Sequence, residues 1–412
     1  MRILLLNQFF WPDASATSQL LTDVARGLAD SGHEVHAIAA DGGYTITSGD
    51  DQPNVHIHRV KSAPFVRGKL GRMLSYASFY LGAAWCGMRL PHPDVVVTLT
   101  TPPLLSLLGN GLTFLRGSRH FIWEMDMYPD VAVALNYFTA GGAPDRVTGA
   151  LADFSRRHAD GVIALGDCMK KRLISRGIPK NKIHVADNWA DSQAISVLPR
   201  PGDSSQLVVL YSGNLGLAHD LTTIVGAMKD LNGDRHFHFI FAGSGARREE
   251  LSAIVKAECL DQVELRPYVP RQSLSESLAA GDIGLVTQRD DCCGAVVPSK
   301  VYGLLAAGRP ILFIGPAAAT PALIIQRFAC GWHVPCGDIA TLTQLLQRLS
   351  VTPEEVATAG RSARRALLEH FDRPLGVARV AEIIGAYSMA HPSDSRIAGT
   401  RTTLQQHSDA HS

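Results

Sequence analysis

The sequence predicts an α/β chain made of two doubly wound, Rossmann-like domains, and three observations carry that expectation. Short apolar runs alternate with longer amphipathic ones, the order that lays parallel strands side by side beneath covering helices. The series is interrupted by ADSQAISVLPRPGDSSQ at 190–206, rich in Ser, Pro, Asp and Gly, and restarts at LVVLYSG, 207–213. A chain of 412 residues with 46% hydrophobic residues buries large cores and is too long for one compact domain.

Taken in order, the first half places strands at 2–7, 34–39, 54–59, 94–99, 119–123 and 161–165. The first is MRILLL, which Asn7 and Gln8 interrupt too early for a cleavable leader. Helices are expected at 17–30, 70–89, 104–115, 145–158 and 167–175. The second half gives strands at 207–213, 238–243, 263–266, 283–287 and 311–315, with helices at 220–230, 247–257 and 271–280. The stretch PSKVYGLLAAGRP, 298–310, adds a short helix with Ser299 offered as its N-cap, Gly308 as its stop and Pro310 beyond. The resulting division is 1–190, a linker at 191–206, 207–371, a last helix at 372–390, and a polar, disordered tail at 391–412.

A formal net charge of +1 gives no global field to attract nucleic acid. The seven cysteines form no CxxC pair, which suits a reducing, cytoplasmic compartment and points to no metal site. From Met73 to Met88 the chain carries no charge, but this run is shorter than the roughly 20 residues of a spanning helix. Arg67, Lys69, Arg72 and Arg89 flank it. Segment 67–89 is either a buried helix or one whose basic and aromatic edge rests on the inner face of a membrane.

Ligands of open α/β sheets sit beyond the carboxyl ends of strands, so the strand-to-helix loops hold the candidates. In NQFFWPDASATSQ, 7–19, Trp11 and Asp13 are candidates for sugar or acceptor contact, and Ser15 or Thr17 for a helix cap; a packed aromatic accounts for Trp11 equally well. In WEMDMYPD, 123–130, the carboxylates Glu124, Asp126 and Asp130 cluster at a strand end, where perturbed acids gather at functional sites. In YSGNLGLAHD, 211–220, Gly213 and Gly216 flank Asn214 in a turn able to bring backbone N–H groups to a phosphate. No GK[ST] follows, so it is not a P-loop. AGSGARREE, 242–250, is a similar loop, with Arg247 and Arg248 expected on the solvated helix face. Tyr268 in RPYVP lines a base pocket or the core. Lys300, in the first turn of its helix, completes an anion-binding arrangement.

Together, YSGNLG, AGSG, PYVP and PSKVYGLLAAGRP resemble the donor-binding domain of GT-B glycosyltransferases of family 4. The opening MRILLLNQFFWPDASATSQLLTDVARGLADSGHEV, WEMDMYPD, ALGDCMKKRL and HVADNWAD resemble their acceptor domain, so the likeness spans about residues 1–390. The likeness extends to bacterial transferases similar to the colanic acid and O-antigen enzymes. The resemblance implies transfer of a hexose or amino-hexose from a nucleoside diphosphate sugar to a lipid-linked sugar acceptor, usually with retention. UDP is favoured and GDP second. It implies no cofactor and no metal, with helix N-termini and basic side chains stabilising the leaving diphosphate. It assigns Gly213, Asn214, Ser299 and Lys300 to the donor diphosphate, Tyr268 to the region near the base and Asp126 to the mouth of the first domain; the residues themselves add Gly216 and His219 as donor contacts, Glu124 as a second catalytic candidate, and Trp11 and Asp13 as acceptor contacts. It also implies that 372–390 crosses back to the first domain.

Two departures stand out. Many relatives carry glutamates where this chain has Ala295 and Gly303, and a basic residue where it has Leu217. The first departure keeps a second reading open, a degenerate transferase that binds nucleotide or scaffolds an assembly. The second leaves His219 or Lys300 to supply the charge facing the diphosphate.

Overall fold

The computed structural model describes residues 1–13, 15–42, 52–63, 69–202, 205–267 and 271–385. Two parallel sheets form among them. The first comprises β1 (Arg2–Leu6), β2 (Glu34–Ala40), β3 (His56–Val60), β4 (Val95–Thr98), β5 (Arg119–Trp123), β6 (Gly161–Ala164) and β7 (Ile183–Val185), in the order β3-β2-β1-β4-β5-β6-β7. The second comprises β8 (Leu207–Ser212), β9 (Phe237–Ala242), β10 (Val263–Arg266), β11 (Ile283–Thr287), β12 (Ile311–Ile314) and β13 (Gly331–Val334), in the order β10-β9-β8-β11-β12-β13.

The opening strand of each series lies inside its sheet, β1 between β2 and β4 and β8 between β9 and β11. Strand order reverses there, and a crevice opens at the carboxyl ends. The central strands are buried on both faces, as the neighbouring pairs Ile3 and Leu4, Val95 and Val96, Val208 and Val209, and Leu285 and Val286 show, so they read as unbroken apolar runs rather than alternating ones.

Differences from the sequence reading fall at edges and late in the chain. Strands β7 and β13 were not expected; they have three and four residues and pair on one side only. Helices Thr320–Phe328, Ile339–Ser350 and Pro353–Ala366 fill a region to which the sequence reading assigned no element. Their signal is present: Leu342, Leu346 and Leu349 recur at helical spacing and are buried, and the Asp338 side chain accepts the Thr341 N–H at 3.1 Å as an N-cap.

The helix Arg373–Ile383 returns to the first domain and packs on the helix Ala16–Asp30. Contact is close enough that a Cβ on Gly376 would meet the Trp189 ring at 2.2 Å. Trp189 in turn stacks on Trp123 and donates its indole N–H to Asp23 at 3.0 Å. Asp372 anchors the entry, accepting from the Ser192 N–H at 2.9 Å and the Ser192 hydroxyl at 2.7 Å. The expected tail, 391–412, lies outside the described residues.

Candidate active site

At the end of β8 the backbone enters a glycine turn. Gly213 has φ +125°, a left-handed region that L side chains rarely occupy, and a Cβ there would sit 2.8 Å from Lys300 Cε. Gly243 follows β9 with φ +136°, and its Cβ would fall 2.1 Å from the Gly213 carbonyl oxygen. The two loops therefore interlock through bare backbone. Gly213 N–H donates to Ala242 O at 2.8 Å and Leu215 N–H to Ser244 O at 2.6 Å. Arg247 and Arg248, expected on a solvated face, instead fold inward. Arg247 donates to His219 O at 2.6 Å, and Arg248 to Gly243 O and Arg266 O, both at 2.8 Å. They add donors to carbonyls at the turns, that of Arg266 being shared with the Gly243 N–H.

Lys300 begins the helix Lys300–Ala306 and reaches over this turn. Its ammonium donates to Asn214 O at 3.1 Å and to His219 Nε2 at 3.3 Å, and lies 4.8 Å from the centre of the Tyr211 ring. His219 Nδ1 lies 2.8 Å from the Thr287 carbonyl, so its single proton sits on Nδ1 and Nε2 is left as acceptor. Burial, with the Lys300 charge second, pushes His219 down to about 3, so it is neutral. Burial pushes Lys300 down to about 8. The result is a partly desolvated cation above a glycine turn, held by neutral partners and, among the described residues, balanced by no carboxylate within hydrogen-bond reach.

Several expectations change here. His219 brings no charge and instead positions Lys300, because Thr287 fixes its tautomer. Ser299 precedes the helix, but its hydroxyl makes no capping bond. Gly216 has open space around its Cβ position, with Asn214 Nδ2 nearest at 3.6 Å, so no steric demand fixes glycine there. Tyr268 lies outside the described residues. Arg289, missed in the sequence, donates its backbone N–H to Ala218 O at 2.9 Å and its Nη1 to Leu217 O at 3.4 Å, so a guanidinium stands next to the loop where Leu217 supplies none. Its other arm is held by Asp291 at 2.5 Å.

The acidic loop follows β5 in the facing domain. Glu124, expected beside Asp126 at the catalytic mouth, is buried and gives both oxygens to Arg156, at 2.6 and 3.2 Å. Arg156 is itself buried and also donates to the Tyr128 carbonyl at 2.9 Å. The pair fixes the loop and leaves Glu124 no oxygen for chemistry. Asp130 is likewise engaged, by Arg172 at 2.7 Å and Arg176 at 3.2 Å. Of the three carboxylates only Asp126 is presented. Its backbone pairs with Val296 of the second domain, and the next residue, Met127, donates its N–H to Ala295 O at 2.8 Å. Solvent reaches the Asp126 side chain, yet protein crowds it closely on its other sides. That loss of bulk solvation, with the Glu124 charge second, raises its carboxyl to about 6.

The same seam holds the domains together elsewhere. Arg172 donates to Cys293 O at 2.8 Å, and Cys168 Sγ lies 3.2 Å from Thr320 Oγ1. Ala295 is fully buried and sends no side chain into the cleft, whereas a Cβ at Gly303 would meet only Leu278, at 4.0 Å. Trp11 is half-buried against the first core. Asp13 is buried, and its Oδ1 accepts the Ser15 N–H at 2.8 Å, so it shapes the turn; Ser15 itself makes no side-chain cap.

Two family models account for most of the chain. One, described as a glycosyl transferase 4-like domain, matches 17–189, and one for glycosyl transferases group 1 matches 200–366. The chain is a family 4 glycosyltransferase of GT-B architecture. Among its relatives, the probable glycosyltransferase WbjE of Pseudomonas aeruginosa is 24% identical over 307 residues, spanning 72% of this chain and 75% of its own length. The putative colanic acid biosynthesis glycosyl transferase WcaI of Escherichia coli K12 is 25% identical over 340 residues, spanning 75% and 82%. In fold, this glycosyltransferase is similar to Anabaena Alr3699/HepE, solved with UDP-glucose, at a TM-score of 0.70 and 14% identity, covering 94% of this chain and 100% of that one. Sucrose-phosphate synthase from Thermosynechococcus elongatus gives a TM-score of 0.75 at 14% identity, covering 93% and 98%.

Proposed function

We propose that this glycosyltransferase moves a hexose or amino-hexose from a UDP-sugar to a lipid-linked sugar acceptor in cell-surface polysaccharide synthesis, with retention. The observation that carries the reading is Lys300, a partly desolvated cation fixed over the Gly213 turn by Asn214 and His219. A diphosphate is the anion that matches it, and UDP is favoured because the similar Anabaena structure holds UDP-glucose. Lys300 and the backbone N–H groups of the turn neutralise the leaving diphosphate without a metal ion. Asp126, across the cleft, orients the acceptor hydroxyl while a donor phosphate oxygen takes its proton. The names of WbjE and WcaI support polysaccharide synthesis as the setting. Calorimetry with UDP, GDP and dTDP tests the donor assignment: selective UDP binding supports it, and binding of none overturns it.

The acceptor's lipid places the enzyme at the inner face of the cytoplasmic membrane. No helix among the described residues is long and apolar enough to cross one. The helix Lys69–Arg89 buries Ser75, Phe79 and Ala83 at helical spacing and exposes Met73, Leu74, Leu81, Trp85 and Met88. The exposed apolar residues Phe114 and Leu115, on the helix Leu105–Arg116, and Leu151 and Phe154, on Ala143–His158, extend this face across packed neighbours. Arg72, Arg89, Arg146 and Arg157 are exposed on the same helices, a composition that suits anionic headgroups. Cosedimentation with phosphatidylglycerol vesicles, lost in Trp85→Glu/Phe114→Glu, supports this placement; equal sedimentation of wild type and variant counts against it.

The degenerate reading rests on Ala295 and Gly303. It would gain if UDP bound while no sugar moved to any acceptor.

A further inference from the structure

At the amino ends of the strands, opposite the cleft, four side chains with metal-ligating atoms share one face of the first sheet. Strand alternation puts Glu34 and His36 together on β2, and His56 and His58 together on the edge strand β3. The parallel register sets His36 opposite His56 and Ile38 opposite His58. His36 is buried between the other two rings, 4.7 Å from the His56 centroid and 5.2 Å from that of His58. Its Nε2 lies 3.0 Å from Glu34 Oε1 and its Nδ1 lies 2.9 Å from His58 Nε2. Glu34, His36 and His56 each offer one ligand atom, and these atoms all lie within 4.8 Å of one another.

We propose that Glu34, His36 and His56 bind a divalent transition-metal ion of the zinc class. Around a tetrahedral zinc with bonds of about 2.0–2.1 Å, neighbouring ligand atoms stand roughly 3.3–3.4 Å apart. Glu34 and His36 are already near that spacing. His56 is exposed, so a change of rotamer brings its nitrogen in. His58 is the outer partner: it accepts the Nδ1–H of His36 and so points the Nε2 lone pair at the ion, the arrangement that metal-bound histidines ordinarily show. Arg2 holds the other carboxylate oxygen, Oε2, at 2.8 Å; its charge weakens affinity, but it also fixes the carboxylate. Two imidazoles and one carboxylate, with water in the fourth place, suit zinc, and nickel or copper compete for the same set. The ion has no part in sugar transfer. It clips the edge strand β3 to β2 and stabilises the fold through binding the native state alone.

The competing arrangement is a metal-free proton relay, His58 to His36 to Glu34. Chelator-treated full-length protein is titrated with Zn(II) by calorimetry and with Co(II) by visible absorption. The expected result is one equivalent of Zn(II), a four-coordinate Co(II) spectrum and a zinc-dependent rise in Tm. His56→Ala and Glu34→Ala, both at exposed positions, weaken binding at least tenfold and abolish the Tm rise, with UDP affinity unchanged. Absence of saturable uptake, or equal zinc affinity in wild type and both variants, overturns the site and leaves the relay.

Discussion

Replacing Lys300 by Met keeps an apolar stem of similar length beside Gly213 and over Tyr211 while removing the charge. In the free protein the ammonium gives two hydrogen bonds to neutral acceptors and is held at about 8 by burial. Against an ordinary lysine near 10.5, that shift corresponds to about 3 kcal/mol disfavouring the cation. A bound diphosphate supplies the missing counter-charge. A charge-assisted hydrogen bond of this kind contributes about 1.5–3 kcal/mol, so Lys300→Met weakens UDP binding roughly 10- to 150-fold. The pH dependence is the sharper test. Below about pH 8 the lysine is charged and wild-type affinity is flat; above it the affinity falls about tenfold per pH unit toward that of the variant. Because the diphosphate raises the lysine pKa, UDP binding near pH 8.5 takes up a proton, about half a unit above the free-protein value. Calorimetry in two buffers of different ionisation heat reads that proton directly. A wild-type affinity that is constant from about pH 7 to about pH 9, or a Lys300→Met variant that binds UDP as tightly as wild type, refutes the reasoning.

Other outcomes follow from the same geometry. Asp126→Asn lowers kcat by about 10²-fold in a transfer assay while UDP affinity holds, the outcome of the proposed role in orienting the acceptor hydroxyl. The wild-type kcat/KM profile is bell-shaped, rising through about pH 6 as Asp126 loses its proton and falling through about pH 8 as Lys300 loses its own. Glu124→Ala removes two hydrogen bonds from buried Arg156 and leaves it Asp153, at 3.2 Å, as its paired carboxylate; it destabilises the protein by about 1–3 kcal/mol in urea unfolding without a direct effect on the reacting atoms. Gly213→Ala forces a side chain into a left-handed backbone and against Lys300 Cε, so it weakens UDP binding and lowers Tm, whereas Gly216→Ala, with open space, leaves both near wild type.

What was legible in the sequence has a physical pattern. Strands buried on both faces announce themselves as apolar runs, so β1, β4, β8 and β11 were found; β7 and β13 are short, paired on one side, and carry His184 and His333 among their few residues. The glycine turn and Lys300 were legible because each needs a residue type at a fixed local spacing. The sorting of Glu124 from Asp126 was not. Both follow the same strand, and only the buried Arg156, 32 residues on, decides which carboxylate is consumed structurally. His219 looked like a charge source until Thr287, 68 residues away, set its tautomer, and Arg289 reaches Leu217 O across 72 residues. The E-x-H and H-x-H runs of β2 and β3 went unmarked in the sequence, because their shared face depends on a parallel register that no local pattern states.

Sugar transfer with Lys300 on the donor and Asp126 on the acceptor is read out by incubating the full-length enzyme with UDP-sugars labelled in the hexose and membranes carrying lipid-linked acceptors, then counting label in the lipid extract. The expected result is label in lipid with wild type and its loss in both Asp126→Asn and Lys300→Met, with UDP affinity falling only in the latter. UDP binding with no label transferred from any UDP-, GDP- or dTDP-sugar overturns the transferase assignment and leaves a nucleotide-binding scaffold.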